Sequence, residues 1–128
     1  MQTPLAGRRI LITEDLYLLA VSLTGDIMRA GGEVAGPYPT CAEALEGIEI
    51  HRIDAAILDV ALNDGVVFPV ARKLANAGIP FVFLTGYEPS TVPEEFESAP
   101  CIVKPTSGKK VGERIAQLLD DAGPSRLP

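Results

Sequence analysis

Five short runs of apolar residues alternate along the chain with longer segments in which apolar residues recur every three or four positions. The runs cover residues 10–13, 33–36, 55–59, 81–85 and 101–103. Most of them are continuously apolar rather than alternating, which is typical of strands that helices cover on both faces. The pattern therefore predicts five strands of a parallel sheet.

Four of the longer segments have the periodicity of a helix and a recognisable start or end. Thr40 is a suitable N-cap for the second helix, and Pro69 fits the first turn of the third. Glycines follow the first, third and last segments, where a helix commonly ends. The residues predicted to face inward are Leu16, Leu19, Leu23, Ile27, Ala42, Leu45, Ile48, Val70, Leu74, Ala77, Val111, Ile115, Leu118, Leu119 and Ala122.

The connector between the fourth and fifth strands differs from the others. It reads GYEPSTVPEEFESAP, with three prolines and little apolar periodicity. We expect residues 88–100 to be irregular or mobile, with room for one helical turn.

The alternation of strands and helices predicts an α/β fold. The economical arrangement is a doubly wound (βα)5 fold, in which helices cover both faces of a five-stranded parallel sheet. Right-handed crossovers restrict the topology, and 2-1-3-4-5 is the common strand order at this size.

Polar residues follow the predicted strands at their carboxyl ends, where such sheets bind ligands. The first strand is followed by Glu14 and Asp15, and the third ends at Asp59. The fourth ends at Thr85, and Lys104 follows the fifth. In the predicted order, three acids, a hydroxyl and a lysine converge on one edge of the sheet.

This set of residue types favours magnesium and phosphate chemistry. Neighbouring carboxylates at Asp15 and Asp59 would repel each other unless a cation joins them, and oxygen ligands suit Mg²⁺. Glu14 can hold a water of the ion, and the backbone carbonyl of Ala61 can reach it. An ionised Asp59 can then attack a phosphoryl group. Lys104 would neutralise the new phosphate, and the Thr85 hydroxyl can donate to one of its oxygens.

Length and charge narrow the class of protein. The 128 residues correspond to one domain, and 47% of them are apolar. A net charge of −6 argues against a nucleic-acid partner. The two cysteines, Cys41 and Cys101, have no zinc spacing and are expected to be reduced. Without a signal peptide or a membrane-length apolar run, we expect a cytoplasmic protein that does not contact the membrane.

These residues give the chain a resemblance to the receiver domain of bacterial two-component response regulators. The resemblance implies a single receiver domain over residues 1–128, with a core at 8–122, a tail at 123–128 and no output domain. It implies that Asp59 is the phosphoacceptor and that Glu14 and Asp15 form the acidic pair. It further implies that Thr85 is the switch hydroxyl, that Lys104 is the family's lysine, and that the bond from Lys104 to Pro105 is cis.

The stretch PFVFLTGY, residues 80–87, resembles the PFxFxTGY signature of the single-domain "FAT GUY" regulators of alphaproteobacteria. That resemblance implies a histidine kinase of the HWE or HisKA2 type as partner, often in general stress-response or light-linked circuits. Another regulator or a phosphotransfer protein is a further candidate partner. Gly86 would permit a tight turn beside the phosphate. Cys101 stands where most receivers carry a switch aromatic, so we expect Tyr87 and residues 88–100 to take over the switching.

Two other classes of protein are compatible with parts of this pattern. A magnesium-dependent phosphohydrolase also uses an aspartate nucleophile, but it usually needs an acid two residues later, where Ala61 stands. We therefore expect no enzyme activity beyond self-phosphorylation and dephosphorylation. A receiver-shaped module that ignores phosphate is the main alternative, although it would not need this set of acids, hydroxyl and lysine.

Overall fold

The computed structural model describes residues 3–86, 92–104 and 106–122. The strands are β1 (Arg9–Thr13), β2 (Glu33–Tyr38), β3 (Ala55–Asp59), β4 (Ala61–Leu62), β5 (Gly65–Val66), β6 (Phe81–Thr85) and β7 (Cys101–Val103). The helices are α1 (Tyr17–Arg29), α2 (Cys41–Ile50), α3 (Phe68–Asn76) and α4 (Gly108–Ala122).

The main sheet has five parallel strands in the order β2-β1-β3-β6-β7. This order is the predicted 2-1-3-4-5 arrangement, and each strand lies within two residues of its predicted limits. The register pairs Leu58 with Thr13 on one side of β3 and with Phe83 on the other. After β3 the chain adds a feature that was not predicted, the short antiparallel hairpin β4–β5.

The sheet is covered on both faces because its strands are apolar on both sides. Ile10 and Ile12 pack with residues of α1 and α4, such as Leu23 and Ile115. Leu11, between them, belongs to the opposite core with residues of α2 and α3. Most of the strand residues are therefore buried, as their continuous apolar runs predicted.

Four of the predicted inward positions are exposed, namely Leu16, Ala42, Ala77 and Ala122. Leu16 and Ala77 are helix caps, so they lie beyond the turns that face the sheet. On α2 the buried positions are Ala44 and Gly47.

The connector between β6 and β7 forms no α-helix in its described part. It contains one 3-10 turn, Glu94–Phe96, which agrees with the predicted room for one helical turn. Phe96 is nonetheless buried, and its ring contacts those of Phe68, Phe81 and Phe83 with centroids 5.7–6.0 Å away. The prediction of an irregular connector is confirmed there, but this anchor in the core was missed.

A bulge in β2 determines where β1 ends. Gly36 has a φ of +103°, and a Cβ atom at this position would lie 2.8 Å from the carbonyl oxygen of Ile12. The pairing of β1 with β2 shifts at this point, so that Thr13 lies opposite Tyr38. The Glu14 N–H then donates to the Tyr38 carbonyl at 3.1 Å, which fixes the start of the loop that carries the acidic pair.

None of the helices in the described parts of the chain is long and apolar enough to cross a membrane.

Candidate functional site

The three predicted acids meet at the carboxyl edge of the sheet. Glu14 and Asp15 follow β1, and Asp59 ends the neighbouring strand β3. One carboxylate oxygen of each residue lies within 4.8 Å of the others. Glu14 and Asp59 are buried, whereas Asp15 is accessible to solvent. The cluster therefore has the separations and the open side that a hydrated cation needs.

Lys104 follows β7, an edge strand of the sheet, and its side chain reaches this cluster. Its Nζ lies 3.1 Å from Oε1 of Glu14 and 3.3 Å from Oδ2 of Asp59. The backbone N–H of Lys104 donates to the Thr85 carbonyl at 2.8 Å, which continues the pairing of β6 with β7 beyond Val103. The lysine is thereby positioned by the sheet, and its ammonium bridges two acids that come from different strands.

Glu14 is held by its own loop. Its Oε2 accepts hydrogen bonds from the backbone N–H groups of Asp15 and Leu16, each at 3.1 Å. Its Oε1 is buried and has no hydrogen-bond partner within the described ranges, although it faces the Lys104 ammonium as an ion pair. A buried carboxylate oxygen with unused acceptor capacity, beside two more acids, fits a site for Mg²⁺ and its waters.

The environment of Asp59 changes its protonation. The pKa of this carboxyl is raised from an ordinary value of 3.8 to about 7, chiefly by burial and then by hydrogen bonding with, and repulsion from, the neighbouring Glu14 carboxyl. Lys104 acts in the opposite direction and lowers this pKa. A single ammonium does not offset the burial of two adjacent acids, so without a further cation Asp59 is partly protonated at neutral pH.

The structure places Thr85 at the last position of β6, almost fully buried, one residue beyond the pair formed by Leu84 and Asp59. Thr85 and Lys104 therefore lie at the same edge of the sheet as the acids. Ala61 lies in β4, two residues after Asp59, where it pairs with Val66 in the hairpin.

The predicted switch residues are only partly described. Tyr87, residues 88–91 and Pro105 lie outside the described residues, and so does the predicted cis bond between Lys104 and Pro105. Gly86 is exposed, its φ is not in the left-handed region, and a Cβ atom there would meet nothing within 4 Å among the described atoms. The chain bends at Gly86 in a conformation that does not require glycine. The tight turn predicted beside the phosphate stays a prediction, because the residues that follow Gly86 lie outside the described residues.

Cys101 lies in β7 opposite Phe83 and packs partly buried against the same core. The switching role predicted for Tyr87 and residues 88–100 stays a prediction.

One residue at the site was not predicted. Thr13, the last residue of β1, is completely buried, and its hydroxyl oxygen accepts a hydrogen bond from the backbone N–H of Asp59 at 3.1 Å. The available signal was a hydroxyl residue at the end of an otherwise apolar strand, directly before the acidic pair.

The surface beside the acids is apolar. Leu16, Tyr17, Leu18 and Val21, at the start of α1, are 53–81% exposed. An open groove of about 600 Å³ runs between α1 and the end of β2, and Glu14 and Asp15 form part of its lining. Large exposed apolar side chains next to a polar site are typical of a surface that contacts another protein.

Comparison with known proteins gives this fold and site a family. The solution structure of SdrG from Sphingomonas melonis Fr1 matches with 36% identity and a TM-score of 0.75, over 92% of this chain and 98% of that one. The BeF3-activated conformation of SdrG matches with 40% identity and a TM-score of 0.72, over 89% and 98% of the two chains. A CheY-like response regulator receiver domain protein from Methanospirillum hungatei JF-1 matches with 26% identity and a TM-score of 0.75, over 89% and 94%.

A curated relative agrees with these structures. The transcriptional regulatory protein PdtaR of Mycobacterium tuberculosis is 33% identical over 106 residues, which are 78% of this chain and 51% of PdtaR. The chain thus spans about half the length of that relative. No protein-family model matches the chain.

The sheet, the acid cluster with its lysine, and these relatives define a signalling domain of the two-component type. The chain belongs to the receiver-domain family of response regulators.

Proposed function

We propose that this receiver accepts a phosphoryl group on Asp59 from a phosphohistidine of a histidine kinase. The bond between the histidine nitrogen and phosphorus breaks as a bond from an Asp59 carboxylate oxygen to phosphorus forms. The observation that carries the proposal is the placement of the Asp59 carboxylate beside two further acids and the Lys104 ammonium. This arrangement can hold a cation and neutralise a phosphate in one place.

The residues fit Mg²⁺ as the required ion. Asp15 and Asp59 would bind it with the Ala61 carbonyl, and Glu14 would hold one of its waters. When bound, the ion would supply the positive charge that keeps Asp59 ionised and offsets the charge of the phosphoryl oxygens. The Glu14 carboxylate accepts hydrogen bonds from two backbone N–H groups, which fix its orientation. This acid is therefore already in place before any ligand arrives.

After the transfer, Lys104 and Thr85 have complementary roles in this proposal. Once Asp59 carries the phosphoryl group, its own carboxylate charge is gone, so the Lys104 ammonium pairs with a phosphate oxygen instead. The Thr85 hydroxyl donates to another phosphate oxygen and draws the end of β6 toward it. Loops next to the phosphate then reorder, as in other switches driven by a new charge.

The effect on other proteins follows from binding. The exposed apolar residues of α1 lie next to Asp15, which makes this face a suitable contact for the kinase. The PFVFLTGY stretch supports a kinase of the HWE or HisKA2 type and a role in a stress-response circuit. We propose that the phosphorylated chain acts through phosphorylation-dependent binding or as a phosphate sink, with no substrate of its own beyond the phosphoryl group on Asp59. The existence of a BeF3-activated conformation of SdrG, which this chain matches over 98% of the SdrG length, supports this proposal.

Phosphotransfer tests this proposal. An autophosphorylated HWE-type kinase carrying labelled phosphate is mixed with the wild type, with Asp59→Asn and with Asp120→Asn in the presence of Mg²⁺. Asp120 is an exposed residue of α4, so its variant removes one negative charge without touching the site. Label on the wild type and on Asp120→Asn, but not on Asp59→Asn, is expected.

Small phosphodonors separate the choice of kinase from the chemistry of the site. If neither kinases nor phosphoramidate label the wild type, and Mg²⁺ does not bind, the proposal fails. The chain would then be the phosphate-independent interaction module considered above.

A further inference from the structure

The last hydrogen bond between β1 and β3 is made by a side chain. Along β3, the N–H groups of Ala56 and Val60 donate to carbonyls at positions 80 and 84, on the side of β6. In a parallel ladder, alternate residues donate to opposite neighbours, so the Asp59 N–H is directed toward β1. There it meets Oγ1 of Thr13 at 3.1 Å. The proposed phosphoacceptor is therefore fixed by a hydroxyl at the point where β1 leaves the sheet.

Thr13 is well suited to hold this position. Its side chain is completely buried, and a β-branched side chain has few rotamers to choose from, so its hydroxyl stays in place. The bulge at Gly36 sets the register in which Thr13 lies opposite Tyr38. Its backbone continues directly into Glu14, whose N–H is bound to the carbonyl of that same Tyr38. One residue thus connects the strand end that carries the acidic pair with the strand end that carries Asp59.

We propose that Thr13 is a positioning residue that sets the distance between Asp59 and the pair formed by Glu14 and Asp15. This inference rests on the proposed function. Replacing the hydroxyl by a methyl group leaves a buried N–H without a partner at the end of β3. The strand end then shifts to reach another acceptor, and the three carboxylates no longer keep separations that suit a small octahedral ion. Thr13 itself need not touch the ion or the phosphate.

Two substitutions isolate the hydroxyl. Thr13→Val has nearly the same shape but no acceptor, whereas Thr13→Ser keeps the acceptor and loses a methyl group. Ile10→Val serves as the control, since it removes one buried methyl group from the same strand at the end remote from the site. The phosphorylation rate with phosphoramidate is measured over a range of Mg²⁺ concentrations by intact-protein mass spectrometry. The rate at saturating Mg²⁺ and the Mg²⁺ dissociation constant are thereby separated.

Thr13→Val is expected to weaken Mg²⁺ binding and to lower the saturated rate by about tenfold each, as the loss of outer-shell partners usually does. Thr13→Ser should recover most of both losses, and Ile10→Val should leave both unchanged although it lowers the melting temperature. A second readout needs neither metal nor phosphate. In the wild type, the Asp59 amide proton should resist hydrogen exchange. In Thr13→Val, the NMR resonance of the same amide proton should move upfield, because its hydrogen bond is lost.

The outcomes distinguish the two proposals. If Thr13→Val is phosphorylated as well as the wild type, or if the Asp59 amide of the wild type exchanges freely, the role of Thr13 is overturned. Neither result affects the proposed function. The exchange measurement uses only the wild type, so free exchange of the Asp59 amide would overturn the role of Thr13 even if Thr13→Val does not fold. A wild type that neither binds Mg²⁺ nor accepts phosphate would overturn the proposed function, and the role of Thr13 with it.

Discussion

The Lys104 ammonium lies 3.3 Å from Oδ2 of Asp59, and this pair joins strands β7 and β3 across the intervening β6. The same ammonium also faces Glu14, and Asp15 lies within the same cluster. Three carboxylates therefore lie together, and the lysine pairs with two of them. The site has an excess of negative charge, which a proton or a metal cation can relieve, and several measurable properties follow from that excess.

The first prediction concerns stability and pH. The pKa of Asp59 is raised to about 7 in the folded chain, from an ordinary value of 3.8. The folded state consequently binds the proton more tightly than the unfolded state between these values, so this residue lowers the free energy of unfolding as the pH rises from about 4 to about 7. Asp59→Asn removes the charge. Without Mg²⁺ it should be more stable than the wild type at pH 8, by about 1 kcal/mol, because solvent and Lys104 screen part of the effect.

Urea unfolding at pH 5 and pH 8 in the presence of a chelator checks this prediction. The advantage of Asp59→Asn should shrink at pH 5, where the wild-type carboxyl carries a proton. Asp120→Asn, on the exposed face of α4, should show no such dependence. An Asp59→Asn variant that is less stable than the wild type at pH 8 would mean that the ion pair with Lys104 outweighs the burial of the acid.

The second prediction is competition between Mg²⁺ and protons. Mg²⁺ requires the ionised form of Asp59, so its apparent affinity should fall below pH 7. Titration calorimetry at pH 6 and pH 8 should show binding weaker by about tenfold at pH 6, since one pH unit below the pKa removes about nine tenths of the ionised form. A pH-independent affinity would show either that the ion does not bind Asp59 or that the pKa of Asp59 is not raised in the folded chain.

Much of the fold could be predicted from the sequence because burial is recorded in local patterns. Continuous apolar runs gave the five strands nearly to the residue, and their order followed from the handedness of the crossovers. The errors occurred at helix ends, where periodicity does not show which turn is the last. Leu16 has the apolar character of a core residue, yet as the cap of α1 it is exposed.

The site was predictable to the extent that it lies at strand ends. Asp59, Thr85 and Lys104 are each the residue at or just after the end of an apolar run, and topology alone brings them to one edge. The hydrogen bond from Asp59 to Thr13 could not be predicted in this way, because it depends on the bulge at Gly36 and on the resulting register. Phe96 was missed for a similar reason, since a single aromatic residue among prolines has no periodicity.

The third prediction concerns the connector before β7. Phe96 is 4% exposed and packs on Phe68, Phe81 and Phe83, so Phe96→Ala leaves a cavity beneath the connector. Loss of such a ring should lower the free energy of unfolding by about 3–5 kcal/mol. Hydrogen exchange over residues 92–100 should accelerate more than exchange in β1 or β3. Equal acceleration throughout the chain would show that Phe96 stabilises the whole domain rather than the connector.

Arg72 provides a matched control for Phe96. Its guanidinium lies 5.8 Å from the centre of the Phe96 ring and pairs with Glu95, but it is exposed to solvent. Arg72→Ala should therefore cause only a small loss of stability, which disappears at high salt. A large loss that persists at high salt would show that the surface contact, and not the buried ring, holds the connector.

The fourth prediction ranks three glycines by what an added methyl group would meet. Gly36→Ala should be the most harmful, with a loss of about 2 kcal/mol or more, because it combines a φ of +103° with a backbone contact at 2.8 Å. Gly65→Ala has a φ of +135° but open space, so about 1 kcal/mol is expected. Gly86→Ala meets neither obstacle among the described atoms and should change the stability by less than about 0.5 kcal/mol.

Gly86 then separates a structural role from a role in switching. If Gly86 matters only once Asp59 carries a phosphate, Gly86→Ala should match the wild type in thermal unfolding without ligand. Mg²⁺ and the phosphate mimic BeF3 should then raise the thermal stability of Gly86→Ala less than they raise that of the wild type. Gly65→Ala is the control, because its strain is present in both states and should cancel from that difference. Equal stabilisation of the wild type and Gly86→Ala would show that the turn after Thr85 needs no glycine in either state, and the switch would then have to be sought elsewhere in the connector.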